Sequence, residues 1–578
     1  MNFDKLKLEH ILFCAALLVA GLVRFLNLGA APLNESEARL AWDAWQFAQG
    51  ASGVGEFNPA SYPGYILITG LLFSLFESTN FLARLLPALA GVSLVLIPIL
   101  LRERLGKPAA LLLAFGLAID PGLVVASRLA SGPMMALALA LWTATAWLQG
   151  RPRWAGLLGA LLLLSGPPAV QGILIGAVTA LFLRQISPAT RFIHEEKIDS
   201  SQFSDRLKQY SQVFIISLAL IGALFLQVPQ GIAALANSLL EYFQGWTTFS
   251  GVPAGRLLAA IGVYQPVALI FALVSIGRTL YQRRVDLLDL LLIFWVGVSL
   301  IHGLVYPNRQ VIDLVWALVP LWTLAARALA RLCDQSQPHL AAYGQALLIL
   351  LLAGLMWFNL AGLSRTVPQA NDSLARVFLM AGVILLIAVT TILVSMGWSW
   401  QSGKHGLTLG VLGAGSLYLI SALWGSSQVH ANSPAELWFA SSAGNQAALL
   451  QKTTHDLSVW ATGFPDQIDI LLDSDSASIR WALRNYKQVR SADSIPSQEL
   501  PSIIITPQSD QPPVLTAAYR GQDFIWWTYP GWESSLPDNI AGWLTFRDAP
   551  LVQEQIILWA RADLFPGGEV NNPSSFQP

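Results

Sequence analysis

The feature that most constrains this chain is a succession of long apolar runs, separated by short segments that carry most of its lysines and arginines. In a bilayer every backbone amide needs an internal partner, so apolar runs of this length are expected to be helices. They lie near 11–29, 81–101, 108–126, 132–149, 154–166, 169–184, 210–228, 256–277, 286–305, 310–330, 340–360, 374–396 and 405–424, about thirteen spans. Of the 578 residues 54% are hydrophobic and 12% charged, half the charge of an average soluble domain, which excludes an ordinary cytosolic enzyme. A net charge of -1 gives no basic field for nucleic acid, and none is expected as a partner. Cys14 and Cys333 lie far apart in sequence, so neither a disulfide framework nor a cysteine metal site is indicated.

Basic residues set the orientation. Lys5 and Lys7, Arg102, Arg104 and Lys107, Arg151 and Arg153, the stretch Arg184 to Lys208, Arg278, Arg283 and Arg284, Arg327 and Arg331, and Lys404 all fall on one side of this scheme. The positive-inside bias makes that side cytoplasmic and the chain a multi-pass plasma-membrane protein with a cytoplasmic N-terminus. The first run reads as an uncleaved span. Pro63 to Phe76 is apolar but only about 14 residues long, so it reads as an interfacial or re-entrant helix within a first external loop, 30–80. An odd number of crossings then leaves everything after Trp424 outside. The fold class expected is an all-α polytopic membrane domain, 1–425, followed by a small C-terminal extracytoplasmic α/β domain, 426–578. In that domain Ala440 to His455 reads as a helix, and Leu457 to Ala461, Ile503 to Thr506, Phe524 to Thr528 and Gln555 to Ala560 read as strands.

Chemistry is expected at the outer face. Asn34-Glu35-Ser36-Glu37-Ala38-Arg39 opens an amphipathic helix just after the first span. Asn34 and Glu37 have the spacing of a capping box, which leaves Glu37 balanced between cap and catalyst and makes Glu35 the better general base. The turn Ala126 to Pro133 places Arg128 at the membrane face, and Tyr306-Pro-Asn-Arg309 places another arginine at the mouth of the tenth span. A guanidinium suits a lipid phosphate, although interfacial snorkelling is the plainer reading for any one arginine. Arg39, Arg84 and Arg256 are weaker candidates, and His302 and Tyr306 offer further hydrogen bonds. A base and a phosphate-binding arginine are expected to flank a sugar and so to lie apart. No Walker loop, Rossmann glycine pattern, HExxH or C-x-x-C pair occurs. Glu35 and Glu37 could together hold a divalent cation; no cofactor is otherwise expected.

The layout resembles the GT-C superfamily of membrane glycosyltransferases, in particular glycosyltransferase family 39 with its protein O-mannosyltransferases and aminoarabinose transferases. The segments that carry the resemblance are Asn34 to Ala38, Tyr62-Pro63-Gly64-Tyr65, Ala83-Arg84-Leu85-Leu86-Pro87 and Asp120-Pro121 through Ser127-Arg128. Trp481 to Tyr486 and Ile557 to Arg561 are similar to segments of the flippase activity-associated proteins. The Asp of the family's acidic motif is replaced here, by Asn34 or Ser36 according to the alignment, and Gly132-Pro133 stand where an acidic residue often follows the Ser-Arg turn. The resemblance implies inverting transfer of a sugar from a polyprenyl-phosphate carrier to a protein, lipid or glycan acceptor. The alternative is a noncatalytic lipid-carrier-binding or scaffold protein on the same fold.

Overall fold

Among the described residues helices make up most of the chain as far as Trp424, and a six-stranded sheet dominates the C-terminal part. The computed structural model describes residues 8–50, 62–186, 200–223, 230–281, 286–333, 339–365, 370–439, 441–492, 500–509, 513, 515, 517–532 and 536–566. Lys5, Lys7, Arg283 and Arg284 lie outside the described residues. The first half is built of α1 (Leu8–Phe25), α2 (Glu35–Ala48), α3 (Pro63–Leu75), α4 (Asn80–Leu94), the short α5 (Ile97–Leu100) and α6 (Arg102–Leu105), α7 (Lys107–Ile119), α8 (Pro121–Ser127), α9 (Gly132–Leu148) and α10 (Pro152–Leu164). Next come α11 (Pro167–Ile186), α12 (Ser200–Gly222), α13 (Gln230–Gln244), α14 (Ala254–Tyr264), α15 (Pro266–Tyr281) and α16 (Leu287–Val305). A 3-10 turn at Val311–Leu314 leads into α17 (Val315–Cys333), and α18 (Leu340–Arg365), α19 (Ala370–Gly397) and α20 (Trp400–Trp424) complete the helical part.

Prolines decide where helices restart, because a proline at the first helical position loses no hydrogen bond that the helix needs. Pro121 restarts the chain after Asp120 with a bend of 56°, and Pro266 does so after Gln265 with a bend of 92°. Among the described residues eight helices are long and apolar enough to cross a bilayer, and ten if each bent pair is one span. The remaining three of the thirteen expected spans are α9, with 17 residues, α10, with 13, and α12, whose first half carries Asp205, Arg206 and Lys208. Length and charge, not position in the bundle, keep those three below the criterion.

Contacts across the bundle group the helix ends by face. Arg102 lies 3.9 Å from Glu9, Arg104 donates to Leu148 O, and Arg327 and Arg331 pair with Asp289. These join the start of α1, the end of α5, the end of α9, the start of α16 and the end of α17 on the basic face. At the opposite face the end of α1 meets the start of α4: Arg84 donates to Leu28 O and Ala31 O, and Asn80 Nδ2 to Ala31 O. The chain therefore leaves and re-enters the bundle on one face, and α3, about 20 Å long at helical rise, makes no net crossing.

After α20 come one π-helical turn (Gly425–Val429) and then β1 (Ser442–Ala443), α21 (Ala447–Thr462), β2 (Ile470–Leu472), α22 (Ala477–Ala482), β3 (Val489–Ser491), β4 (Ile503–Pro507), β5 (Tyr519–Pro530), α23 (Ile540–Phe546) and β6 (Leu551–Arg561). The sheet order is β1-β5-β6-β4-β2-β3, parallel at β2 with β3 and β4 and antiparallel elsewhere. The strands expected at Ile503, Phe524 and Gln555 are β4, β5 and β6. Leu457 to Ala461 is instead the end of α21: Leu450, Thr454 and Ser458 are buried at helical spacing, and Gly463 stops the helix with a left-handed φ of 77°.

With Cys14 and Cys333 replaced by serine, Gln49→Cys before α3 and Glu77→Cys after it, both exposed, are expected to react with an impermeant maleimide from the same side of sealed vesicles and Arg102→Cys only from the other. Labelling of Gln49→Cys and Glu77→Cys from opposite sides would show that α3 crosses.

Candidate functional site

Asn34 caps α2 because its side chain accepts from the Glu37 backbone N–H while the Glu37 carboxylate accepts from the Asn34 N–H at 3.1 Å. Glu37 is also more than a cap. It is 1% exposed, and Arg84 donates to it through Nε and NH2, both at 2.8 Å. Ala130, on the turn before α9, donates its backbone N–H to the same carboxylate at 2.8 Å. The remaining Arg84 hydrogens go to the carbonyls of Leu28, Ala31 and Pro32. The fork geometry of the guanidinium thus holds the end of α1, the start of α2 and the turn before α9 to one point.

Glu35, one residue into α2, faces away from that pair. It accepts from Ala477 N–H and from the hydroxyls of Ser476 (3.0 Å) and Ser478 (2.7 Å), at the N-terminus of α22. Trp481 Nε1 donates to Asn80 at 2.8 Å and Arg484 donates to Ser78 O at 2.7 Å, so α22 is pinned along the first loop and the start of α4. The two glutamates, read as possible ligands of a shared cation, turn to different partners. Among the described residues no three His, Cys, Asp or Glu side chains come together as metal ligands.

Arg128 donates to the carbonyls of Val23, Arg24 and Leu26 through NH1 and of Asn27 through NH2. It closes the C-terminal end of α1, where the helix dipole favours a cation. Arg128 and Arg84 border one narrow cavity with Ser427, Asn432 and Phe439. Arg39 is exposed, one turn before Asp43, whose carboxyl burial lifts to about 6 against the opposing pull of Arg39.

A second cluster forms on the same face. Gln171 Nε2 lies 3.3 Å from His302 Nδ1, and Tyr242 OH lies 2.8 Å from His302 Nε2. Set between an amide and a phenol, the imidazole can accept at one ring nitrogen and donate from the other. Tyr306 stacks on Tyr242 with ring centres 5.3 Å apart, and Trp246, 41% exposed, meets Tyr306 edge-on at 5.3 Å. Tyr306 OH donates to Tyr242 O at 3.0 Å. Gly245 is required here, since a Cβ at that position would run into the ring and hydroxyl of Tyr306. Arg309 is anchored at one edge, Nε to Tyr306 O at 2.8 Å and NH1 to Val252 O at 3.4 Å, and its NH2 has no partner among the described residues. Tyr62 abuts Gly132, and the charges of Glu241 and Asp313 act on it, which brings the start of α3 to this cluster.

The structure thus unites His302, Tyr306 and Arg309, pairs Glu37 with Arg84, and sends Glu35 to α22. Sequence reasoning missed Gln171, Tyr242 and Trp246. Gln171 carried a signal, a lone amide in an apolar run; the Tyr and Trp sit in an amphipathic helix and its end, where aromatics are ordinary.

This arrangement of a bent-helix bundle, a folded first loop and a capping domain recurs in solved structures. Two solved structures of ArnT from Cupriavidus metallidurans, one bound to undecaprenyl phosphate and one in the apo state, share it with TM-score 0.50 and 16% sequence identity, covering 83% of this chain and 85% of that chain. No protein-family model matches the chain. No curated protein matches it either.

Glu37→Gln is expected to lower stability by about 3–5 kcal/mol, the effect of stranding a buried guanidinium. Thermal melting of the detergent-purified protein measures it, and an unchanged midpoint would mean that Arg84 is held by carbonyls alone. A separate outcome concerns Asp43. Its raised carboxyl holds a proton in the folded chain that the unfolded chain releases between about pH 4 and 6, so its contribution is present below that window and lost as pH rises through it. Asp43→Asn is expected to flatten the melting profile across that window.

Proposed function

We propose that this chain is a glycosyltransferase that moves a sugar from a polyprenyl-phosphate carrier to a protein, lipid or glycan acceptor at the outer face of the plasma membrane. The basic face is cytoplasmic, the N-terminus lies there, and the unit 426–578 is extracytoplasmic. The observation that carries the reading is the Gln171, Tyr242, Trp246, His302 and Tyr306 cluster with the uncommitted edge of Arg309 beside it. Aromatic faces suit the apolar face of a sugar ring, and amide and imidazole groups suit its hydroxyls. A planar guanidinium edge suits the phosphate that leaves.

In the step itself the acceptor hydroxyl attacks the anomeric carbon as the bond from that carbon to the phosphate oxygen breaks, with inversion and no covalent intermediate. The hydroxyl proton passes to a carboxylate, and the phosphate leaves with the bonding electrons towards Arg309, with exposed Arg39 as a second cation. Glu35 is the base. Glu37 is unsuited to it, because Asn34, Arg84 and Ala130 already occupy its oxygens. Glu35 is held by three donors of α22, so the acceptor reaches it when α22 lifts from the loop.

The second reading, a carrier-binding protein without transfer, is favoured by the same engagement of both glutamates. Turnover of a polyprenyl-phosphate hexose in proteoliposomes separates the two. Glu35→Gln is expected to lower turnover about 10²–10⁴-fold, as for loss of a general base, with carrier binding retained. Arg309→Ala is expected to weaken both. Carrier binding without turnover by the wild-type chain, across hexose and pentose donors, would leave the binding reading in its place.

A further inference from the structure

The regular helix geometry of α20 breaks at its end, where the chain takes one π-helical turn before entering the linker to the sheet, and such turns gather at functional sites. Within that turn Ser426 Oγ folds back on Ala422 O at 2.8 Å in the ordinary way. Ser427 does not. It is 2% exposed and its hydroxyl has no hydrogen-bond partner among the described residues. A buried hydroxyl left so is costly, and it calls for a ligand that the protein itself does not supply.

Ser427 borders the narrow cavity shared by Arg84, Arg128, Asn432 and Phe439, whose free space of about 20 Å³ has room for one atom of roughly the size of a water. The charges around it do not balance. The Arg84 guanidinium is matched by Glu37, but the four hydrogen bonds of Arg128 all end on backbone carbonyls. The charged group that acts on Arg128 is another cation, Arg84. Arg128 is 9% exposed, and a cation so buried is strongly disfavoured without a counter-charge. Its Nε hydrogen has no partner among the described residues.

We propose that this cavity binds a single chloride-sized anion between Arg128 and the Ser427 hydroxyl. A water would satisfy the hydroxyl and leave the charge of Arg128 unmatched; a monatomic anion satisfies both. The bound ion ties the linker that carries the sheet to the ends of α1 and α8, a role independent of the transfer chemistry.

The test uses the full chain in detergent. Its melting temperature is measured against chloride at constant ionic strength, with gluconate as the balancing anion. The expected result is a saturable rise, about 1–2 °C or more. Ser427→Ala, a small change at a helix end, is expected to fold and to weaken the apparent chloride affinity about tenfold, the loss of one hydrogen bond to a charged group. Crystals grown in bromide are expected to show one anomalous peak between Ser427 Oγ and the Arg128 guanidinium. Coincident melting curves in the two salts, a chloride response unchanged in Ser427→Ala, or density there without anomalous signal would each overturn the proposal.

Discussion

Everything at the face that carries the first loop depends on one buried ion pair, Glu37 with Arg84. Inside a medium of low dielectric such a pair stands only if both partners are saturated with hydrogen bonds, because desolvation costs each ion several kcal/mol. Here the carboxylate takes two guanidinium and two backbone N–H donors, and the guanidinium spends its other hydrogens on three carbonyls of the first loop. The pair is therefore less a bond between two residues than a junction of four chain segments. It gives the first loop a fixed floor, and on that floor α2 presents Glu35 upward to the sheet.

The sheet in turn is fastened at two places. One is α22 on the first loop. The other is a buried carboxylate, Glu436, in the linker: Arg547 donates to it at 3.1 Å, Tyr264 OH donates to it, and Arg256 holds the carbonyls of Glu436, Leu437 and Phe439 around it. Trp543 of α23 donates to Ala435 O, so the second fastening also joins the short helix α23 to α14. Trp438 of the same linker lies against Gly122 of α8. Because α14 is the short half of the pair that bends at Gln265, and α8 of the pair that bends at Asp120, the linker rests on the short half of each bent span. Two separate bends therefore meet the same linker.

Local rules made part of this legible. The capping box was readable from Asn34 and Glu37, since its partners lie three residues apart and the helix fixes their geometry. The grouping of Arg102, Arg104, Arg327 and Arg331 was readable as well, because the membrane sorts charge by side and needs no knowledge of packing. The partner of Glu37 was not, for Arg84 stands 47 residues away and only the return of the chain at α4 brings it near. Arg128 had the composition of a phosphate ligand and turned out to close a helix, a choice decided by where α1 ends. The cluster at His302 was half legible: its own segment stood out, but Gln171 and Tyr242 come from helices 131 and 60 residues away.

The hold of α22 on Glu35 has a consequence in time. Glu35 and Ser476 are 441 residues apart, and synthesis at about 5–20 residues per second separates their appearance by roughly 20–90 s. Once Arg84 and then Ala130 have followed, the ion pair can close, while the upper carboxylate stays bare until α22 emerges. A chain truncated after α20 would be frozen in that juvenile state, inserted and folded at its base yet open to whatever reaches Glu35 first. The order in which the polypeptide emerges thus gives the protein an uncapped infancy.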